Sequence, residues 1–160
     1  MKIRFITTGG TFDKVYFDAL SEYQVGPPGV ERILQELPLA LQFLIEPVLR
    51  KDSLDITPAD RQLIRDAAVR SPEDRIIVTH GTDTMQETAL LLRGIPDKCI
   101  VLTGAMQPAG FRTSDAVFNV GVAVGAVQSL QSGVYIAMNG RIFNPENVRK
   151  NRERGVFEEV

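Results

Sequence analysis

Two short stretches carry residue types that could do covalent chemistry. Thr7, Thr8, Gly9, Gly10, Thr11 and Phe12 (TTGGTF) follow the apolar run IRFI, and His80-Gly81-Thr82-Asp83-Thr84-Met85 (HGTDTM) follows RIIVT. A hydroxyl on a glycine-rich hinge is either a cap or a nucleophile, and the glycines let a ligand or a second backbone come close. Taken singly, each stretch reads as a turn plus a helix cap. Their presence together at equivalent strand ends argues for a shared site. A threonine hydroxyl is a weak nucleophile at neutral pH and needs a base beside it. Lysine can serve if burial lowers its pKa, whereas a nearby carboxylate favours its ammonium form. A Thr-Lys-Asp cluster therefore works if burial offsets the carboxylate, or if the proton moves in concert with attack. Backbone N–H groups at the glycine-rich turn and at a helix N-terminus would meet the developing oxyanion.

Other chemistries find no support. GTDT lacks the glycines of GxGxxG and there is no GxxxxGK[ST], so neither phosphate cradle is present. His80 is the only histidine and lies at a strand end, which suits a packed imidazole beneath a site better than a Ser-His-Asp member. One histidine and the distant Cys99 cannot supply a usual zinc set, so no metal and no cofactor are expected. Cys99 lies in CIVL and reads as a buried, inert thiol. The net charge is −2 with the signs interspersed, which leaves no footprint for nucleic acid or an anionic membrane. Arg149, Lys150, Arg152 and Arg154 form the densest basic stretch; Asn151 and Glu153 break it. It reads as a solvated face, with Lys150 held back as a candidate. With no apolar h-region and no membrane-length apolar run, a cytoplasmic location is expected.

Residues of this kind need a scaffold that brings strand ends together. Apolar, β-branched runs occur at 3–7 (IRFIT), 75–80 (RIIVTH), 99–104 (CIVLTG) and 133–138 (GVYIAM), with a weaker one at 43–49 (FLIEPVL). Pro47 suits that last run to an edge or a bend. Helical spacing appears in GVERILQEL (29–37), where Val30, Ile33, Leu34 and Leu37 share a face. Thr57-Pro58 predicts an N-cap and first residue for ADRQLIRDAAV. Thr84 and Glu87 match a capping box, and Ser114 or Thr113 is expected to cap DAVFNVGVAVGAVQSL. Residues 13–28 fit neither period and are expected to form a long, lid-like loop. Strands alternating with helices predict an α/β fold, a mostly parallel sheet with helices on both faces. This is a Rossmann-like or flavodoxin-like three-layer sandwich. In such sheets ligands bind beyond the carboxyl ends of the strands. TTGGT, GTDTM and AMQP all fall there.

TTGGT with HGTDTM resembles the bacterial-type L-asparaginase family, which includes the asparaginase-glutaminases. The likeness continues through SEYQVG (21–26), DSLD (52–55), GAMQP (104–108), SDAVFN (114–119), MN (138–139) and NVRKN (147–151). It covers nearly the whole chain and corresponds to the family's larger, N-terminal domain. The resemblance implies that Thr11 is the primary nucleophile and that Tyr23, in the lid segment, closes over substrate and polarises the Thr11 hydroxyl. It implies a second cluster of Thr82, Asp83 and Lys150 that activates a nucleophile or the attacking water. Asp83 would bind the substrate's α-ammonium, Ser53 its α-carboxylate, and the N–H groups of Thr11 and Thr82 would line the oxyanion hole. The expected activity is hydrolysis of L-asparagine to L-aspartate and ammonia through an acyl-threonine intermediate, with slower action on glutamine. A homodimer or homotetramer is implied as well.

Residues 1–160 are expected to form one such domain, with the family's C-terminal domain absent. In two-domain members that domain, from the partner subunit, gives an acidic group to the substrate's ammonium. Glu22 is the candidate replacement. Leu54 stands where many members carry a polar residue, and Phe12-Asp13-Lys14 replaces a small residue and glycine after the nucleophile, so the lid hinge is expected to move differently. Three other readings compete: the same machinery acting on another amide, a non-catalytic amino-acid-binding or regulatory module, and a nucleotide-binding domain. The third lacks its cradle.

Overall fold

The computed structural model describes residues 1–160. In chain order the elements are β1 (Lys2–Gly9), β2 (Lys14–Phe17), β3 (Glu22–Val25), α1 (Gly29–Glu36), β4 (Gln42–Lys51), α2 (Pro58–Arg70) and β5 (Arg75–Thr79). Then follow α3 (Met85–Leu92), β6 (Cys99–Thr103), α4 (Ala116–Ser129), β7 (Gly133–Met138), β8 (Arg141–Phe143), β9 (Val148–Asn151) and β10 (Val156–Glu159). The main sheet runs β4-β1-β5-β6-β7-β8. Its first five strands are parallel, and β8 is antiparallel to β7.

Strand β5 is buried along four of its five residues and β6 along all five. Helices on both sheet faces require this. Ile77, Val101 and Ala137 pack with Val30, Ile33 and Leu34 of α1 and with Val120, Ala123 and Val127 of α4. Their neighbours Ile76, Val78, Ile100, Leu102 and Ile136 pack on the other face with Ile64 and Ala67 of α2 and Met85, Ala89 and Leu92 of α3. The period of two divides each strand between the two cores. The sheet is thus the mostly parallel, doubly covered one expected from the sequence.

Pro47 lies on the edge strand β4, opposite Thr7, and the register shifts between Thr7 and Gly9. An edge tolerates the missing N–H. α2 opens with the expected cap: Thr57 Oγ1 accepts from the Asp60 N–H, the Asp60 carboxylate accepts from the Thr57 N–H, and Pro58 follows. The α3 cap differs from its expectation. Thr84 makes no side-chain cap bond; its hydroxyl donates to the Ser53 carbonyl (2.8 Å), and Glu87 pairs with Arg61. At α4 the cap position falls to Asp115, which makes no side-chain cap bond; Ser114, one residue earlier, accepts from the Ala116 N–H (3.1 Å), and Thr113 turns to Gln107.

Residues 13–28 are not an irregular loop. Lys14–Phe17 and Glu22–Val25 pair as an antiparallel hairpin whose side chains are almost all exposed. With neither face buried, its sequence carries no alternation to read. A second hairpin, β9–β10, closes the chain and pairs Lys150 with Phe157.

Candidate active site

The chain runs from β1 to the edge strand β4, then returns and crosses to β5 on the other side of β1. A crevice therefore opens at the carboxyl ends of β1 and β5. Gly9 and Gly10 turn the chain there with φ of 100° and 74°, the left-handed region that glycine enters freely. A Cβ on Gly10 would lie 2.5 Å from Gly81 Cα, and one on Gly81 would lie 2.5 Å from Ser53 Cβ. Backbone thus meets backbone at Gly10 and Gly81, with Ser53 against the far side of Gly81. Thr11 and Thr82, the next residues along the chain, are brought to the same crevice with Ser53. Thr11 begins a single 3-10 turn (Thr11–Asp13) and is half-buried; Ser53 is buried at the start of another (Ser53–Asp55).

Lys150 reaches this crevice from β9. Its Nζ donates to Thr82 Oγ1 (2.7 Å) and to Asp83 Oδ1 (3.0 Å). Thr82 is 6% exposed. The hydroxyl accepts from the lysine, so its own hydrogen is free for another acceptor. Burial alone would raise the Asp83 carboxyl, but the hydrogen bond and charge of Lys150, and then those of Arg152, hold it below the usual carboxylate range.

Beneath the site, His80 is fully buried. Its Nδ1 lies 2.8 Å from the Gly81 carbonyl and its Nε2 lies 2.8 Å from Thr88 Oγ1. A carbonyl only accepts, so Nδ1 carries the hydrogen and Nε2 accepts from the threonine. Desolvation pushes this imidazole down to about 4. It is the packed histidine expected at that position.

A polar relay holds the lysine-bearing hairpin. Asp115 accepts from the Met106 and Gln107 N–H groups and from Asn119 Nδ2 (2.9 Å). Asn119 also donates to the Gly104 carbonyl (3.0 Å) and accepts from the Asn139 N–H (3.2 Å). Asn139, at φ 54°, accepts the Phe157 N–H on β10 (2.8 Å), opposite Lys150. Three motifs noted in the sequence, GAMQP, SDAVFN and MN, meet in this relay.

Tyr23 is placed differently. It sits on β3, 50% exposed, with its ring edge-on to Tyr16 (5.3 Å between centroids) and Phe111 (5.7 Å). It makes no hydrogen bond to Thr11. Glu22 is exposed and accepts from Gln24. Leu54 is exposed beside Ser53. Lys14 pairs with Asp52 (3.0 Å) and ties the start of the hairpin to the Ser53 turn.

Two residues near the site escaped sequence reasoning. Arg152, read as part of a solvated face, contacts Asp83. Arg152 follows the end of β9 in the turn that leads to β10, so strand alternation gave no signal for it. Asp13, the second, is 3% exposed and lines a cavity of about 250 Å3 with Phe12, Pro28, Gly29, Arg32 and Ala109. None of Thr11, Tyr23, Thr82, Asp83 and Lys150 lines that cavity. Desolvation pushes the Asp13 carboxyl up to about 7, although the Gly29 N–H donates to it (2.7 Å). An acid directly after Thr11-Phe12 was the visible sign.

Comparison with known proteins gives a consistent result. The family described as "Asparaginase, N-terminal" matches residues 2–157. Glutaminase-asparaginase of Acinetobacter glutaminasificans is 34% identical over 116 residues, 69% of this chain and 34% of that protein. L-asparaginase 2 of Bacillus subtilis is 30% identical over 162 residues, 92% of this chain and 43% of that protein. The thermostable L-asparaginase from Thermococcus kodakarensis superposes with a TM-score of 0.89 at 26% identity, covering 100% of this chain and 51% of that one. The chain spans between a third and about half of the length of these relatives. No helix is long and apolar enough to cross a membrane.

Proposed function

The chain belongs to the asparaginase family, and from that membership we propose that it hydrolyses the side-chain amide of L-asparagine to L-aspartate and ammonia. The observation that carries the reading is the Lys150–Thr82–Asp83 cluster, set against the Gly10–Thr11 turn where β1 and β5 diverge. It assembles a hydroxyl, a lysine and a carboxylate, the parts that metal-free amide cleavage by a threonine requires.

In this reading Thr11 Oγ1 attacks the amide carbon. The hydroxyl proton passes to the leaving nitrogen, the C–N bond breaks, and ammonia departs. An acyl ester on Thr11 remains. Water polarised by Thr82 then attacks the ester carbonyl, the water's proton returns to Thr11 Oγ1, and L-aspartate is released. Lys150 polarises Thr82 through the 2.7 Å hydrogen bond, and Asp83 orients Lys150. Backbone N–H groups of Thr11 and Thr82 face the developing oxyanion. Ser53 binds the α-carboxylate and Asp83 the α-ammonium. Tyr23 reaches Thr11 only if the β2–β3 hairpin swings inward from Phe111, which makes hairpin movement part of the proposal. L-Glutamine, one methylene longer, is a slower substrate, because such a change alters transition-state binding by about 1–3 kcal/mol. The proposed assembly is a homodimer or homotetramer, and light scattering on the 160-residue chain tests it.

Ammonia release from both amides, measured with the intact chain and with Thr11→Ala, tests the activity. Turnover of L-asparagine that falls by several orders of magnitude in the variant is the expected result. No ammonia from either amide, together with a rise in Tm on adding L-aspartate, would instead identify a binding module that keeps the pocket.

A further inference from the structure

Asp83 has more positive charge around it than a receptor for an ammonium group should need. One of its two carboxylate oxygens, Oδ1, takes Lys150 Nζ at 3.0 Å, Arg152 Nε at 3.3 Å and Arg152 Nη2 at 3.3 Å. Two cations converge on one carboxylate. Lys150 is also committed to Thr82, and it is largely buried within the site. Arg152 has no other carboxylate partner, and its side chain is 70% exposed. Its neighbours differ. Arg149 and Arg154 both pair with Glu158, on the β9–β10 hairpin away from Asp83. Lys150 and Arg152 are thus the two cations of that basic run at the crevice, and Arg152 is held there by Asp83 alone.

Resting on the amidohydrolase reading, we infer that Arg152 determines specificity by competing with the substrate's α-ammonium for Asp83. An incoming ammonium must displace the guanidinium or share the carboxylate with it, and the two like charges repel. A ligand with hydrogen in place of the α-amino group meets no such competitor, while its carboxylate gains from the same guanidinium. The site is built to take the mono-amide of a dicarboxylic acid without an α-amino group, such as succinamate, comparably with L-asparagine. The substrate class widens from amino-acid amides to four-carbon amide acids.

The test compares L-aspartate with succinate, which differ only in the α-ammonium, by titration calorimetry on the full chain and on Arg152→Gln and Arg152→Lys. Arg152→Gln should tighten L-aspartate by about three- to tenfold, the range for a partly exposed like-charge contact. Succinate should stay level or weaken. Arg152→Lys keeps the charge and should keep the wild-type ratio. In turnover, Arg152→Gln should lower KM for L-asparagine more than KM for succinamate. Equal shifts for both ligands, no shift for either, or no binding of either acid to the wild type would overturn the inference. Binding of the two acids needs no turnover, so a chain that binds them but releases no ammonia defeats the amidohydrolase reading and still yields the ratio on which Arg152 is judged.

Discussion

Gly10 and Gly81 touch backbone to backbone: a Cβ on Gly10 would stand 2.5 Å from Gly81 Cα and 2.6 Å from Gly81 N. The contact joins the turn after β1 to the turn after β5, and all the proposed chemistry is arranged around it. Any side chain at Gly10 must push the two turns apart.

Gly10→Ala meets that clash and the left-handed φ of 74° together. The strained backbone alone costs about 1–3 kcal/mol. Thermal unfolding should show a fall in Tm. Ammonia release should fall further than stability does, because Thr11 and Thr82 would separate. A variant with wild-type Tm and wild-type turnover would show that the turns do not depend on this approach.

Lys150→Met removes the cation with the larger hold on the Asp83 carboxyl, ahead of Arg152. The Asp83 pKa, followed by carboxyl NMR, should move up toward the ordinary range. Turnover should drop by about 10²–10⁴, the usual worth of a positioned acid–base group. An unmoved Asp83 would mean that Arg152 alone sets its charge.

Acid sensitivity reflects two buried groups acting in opposite directions. His80 titrates near 4 when folded and near its usual 6.5 when unfolded. The unfolded chain binds the extra proton, so stability is lost as pH falls from about 6.5 to 4. Asp13 titrates near 7 when folded and near 3.8 when unfolded. The folded chain binds the proton, so stability is lost as pH rises from about 4 to 7. Asp13→Asn keeps an acceptor for the Gly29 N–H and removes one side of this balance. Urea unfolding should then find the variant more stable than wild type at pH 8, less advantaged at pH 5, and steeper in its loss on acidification.

Two threonines near the strand ends, Thr79 and Thr103, should respond differently to valine. Thr7 and Thr79 are register partners with buried hydroxyls that have no hydrogen-bond partner. Thr103 donates to the Ala137 carbonyl at 2.8 Å. Thr79→Val should be neutral or stabilising, whereas Thr103→Val should cost about 1 kcal/mol, since it removes a buried hydrogen bond. Urea midpoints of the two variants check the contrast. An equal cost at both positions would reveal a partner for Thr79, for which a buried water is the natural candidate.

Asn119 links α4 to the Gly104 turn and to Asn139, and through Asn139 to the hairpin that carries Lys150. Asn119→Ala should lower stability by about 1–3 kcal/mol through the unpaired groups it leaves. It should also lower kcat beyond what partial unfolding explains. A kcat that simply tracks the folded fraction would limit Asn119 to a structural role.

Much of this molecule was legible in one dimension. Continuous apolar runs announced β5 and β6, because strands covered by helices on both faces need no polar side. Thr57-Pro58 announced α2, since capping is settled within a single turn of chain. Pro47 announced an edge, for want of one N–H. The two threonine-bearing turns identified themselves by composition and by their place after strands.

Tertiary structure alone decided the rest. The β2–β3 hairpin is exposed on both faces, so no burial wrote a period into its residues. Thr84 gave up its cap because the Ser53 carbonyl, 31 residues away, arrived within reach of its hydroxyl. Arg152 and Lys150 meet Asp83 across nearly 70 residues, and which of the basic side chains faces the crevice depends on the pairing of β9 with β10. Local pattern is governed by steric and burial constraints acting over a few residues. Distant pairs are set by sheet register and by the closure of packed layers, and those constraints leave no fixed spacing in the chain.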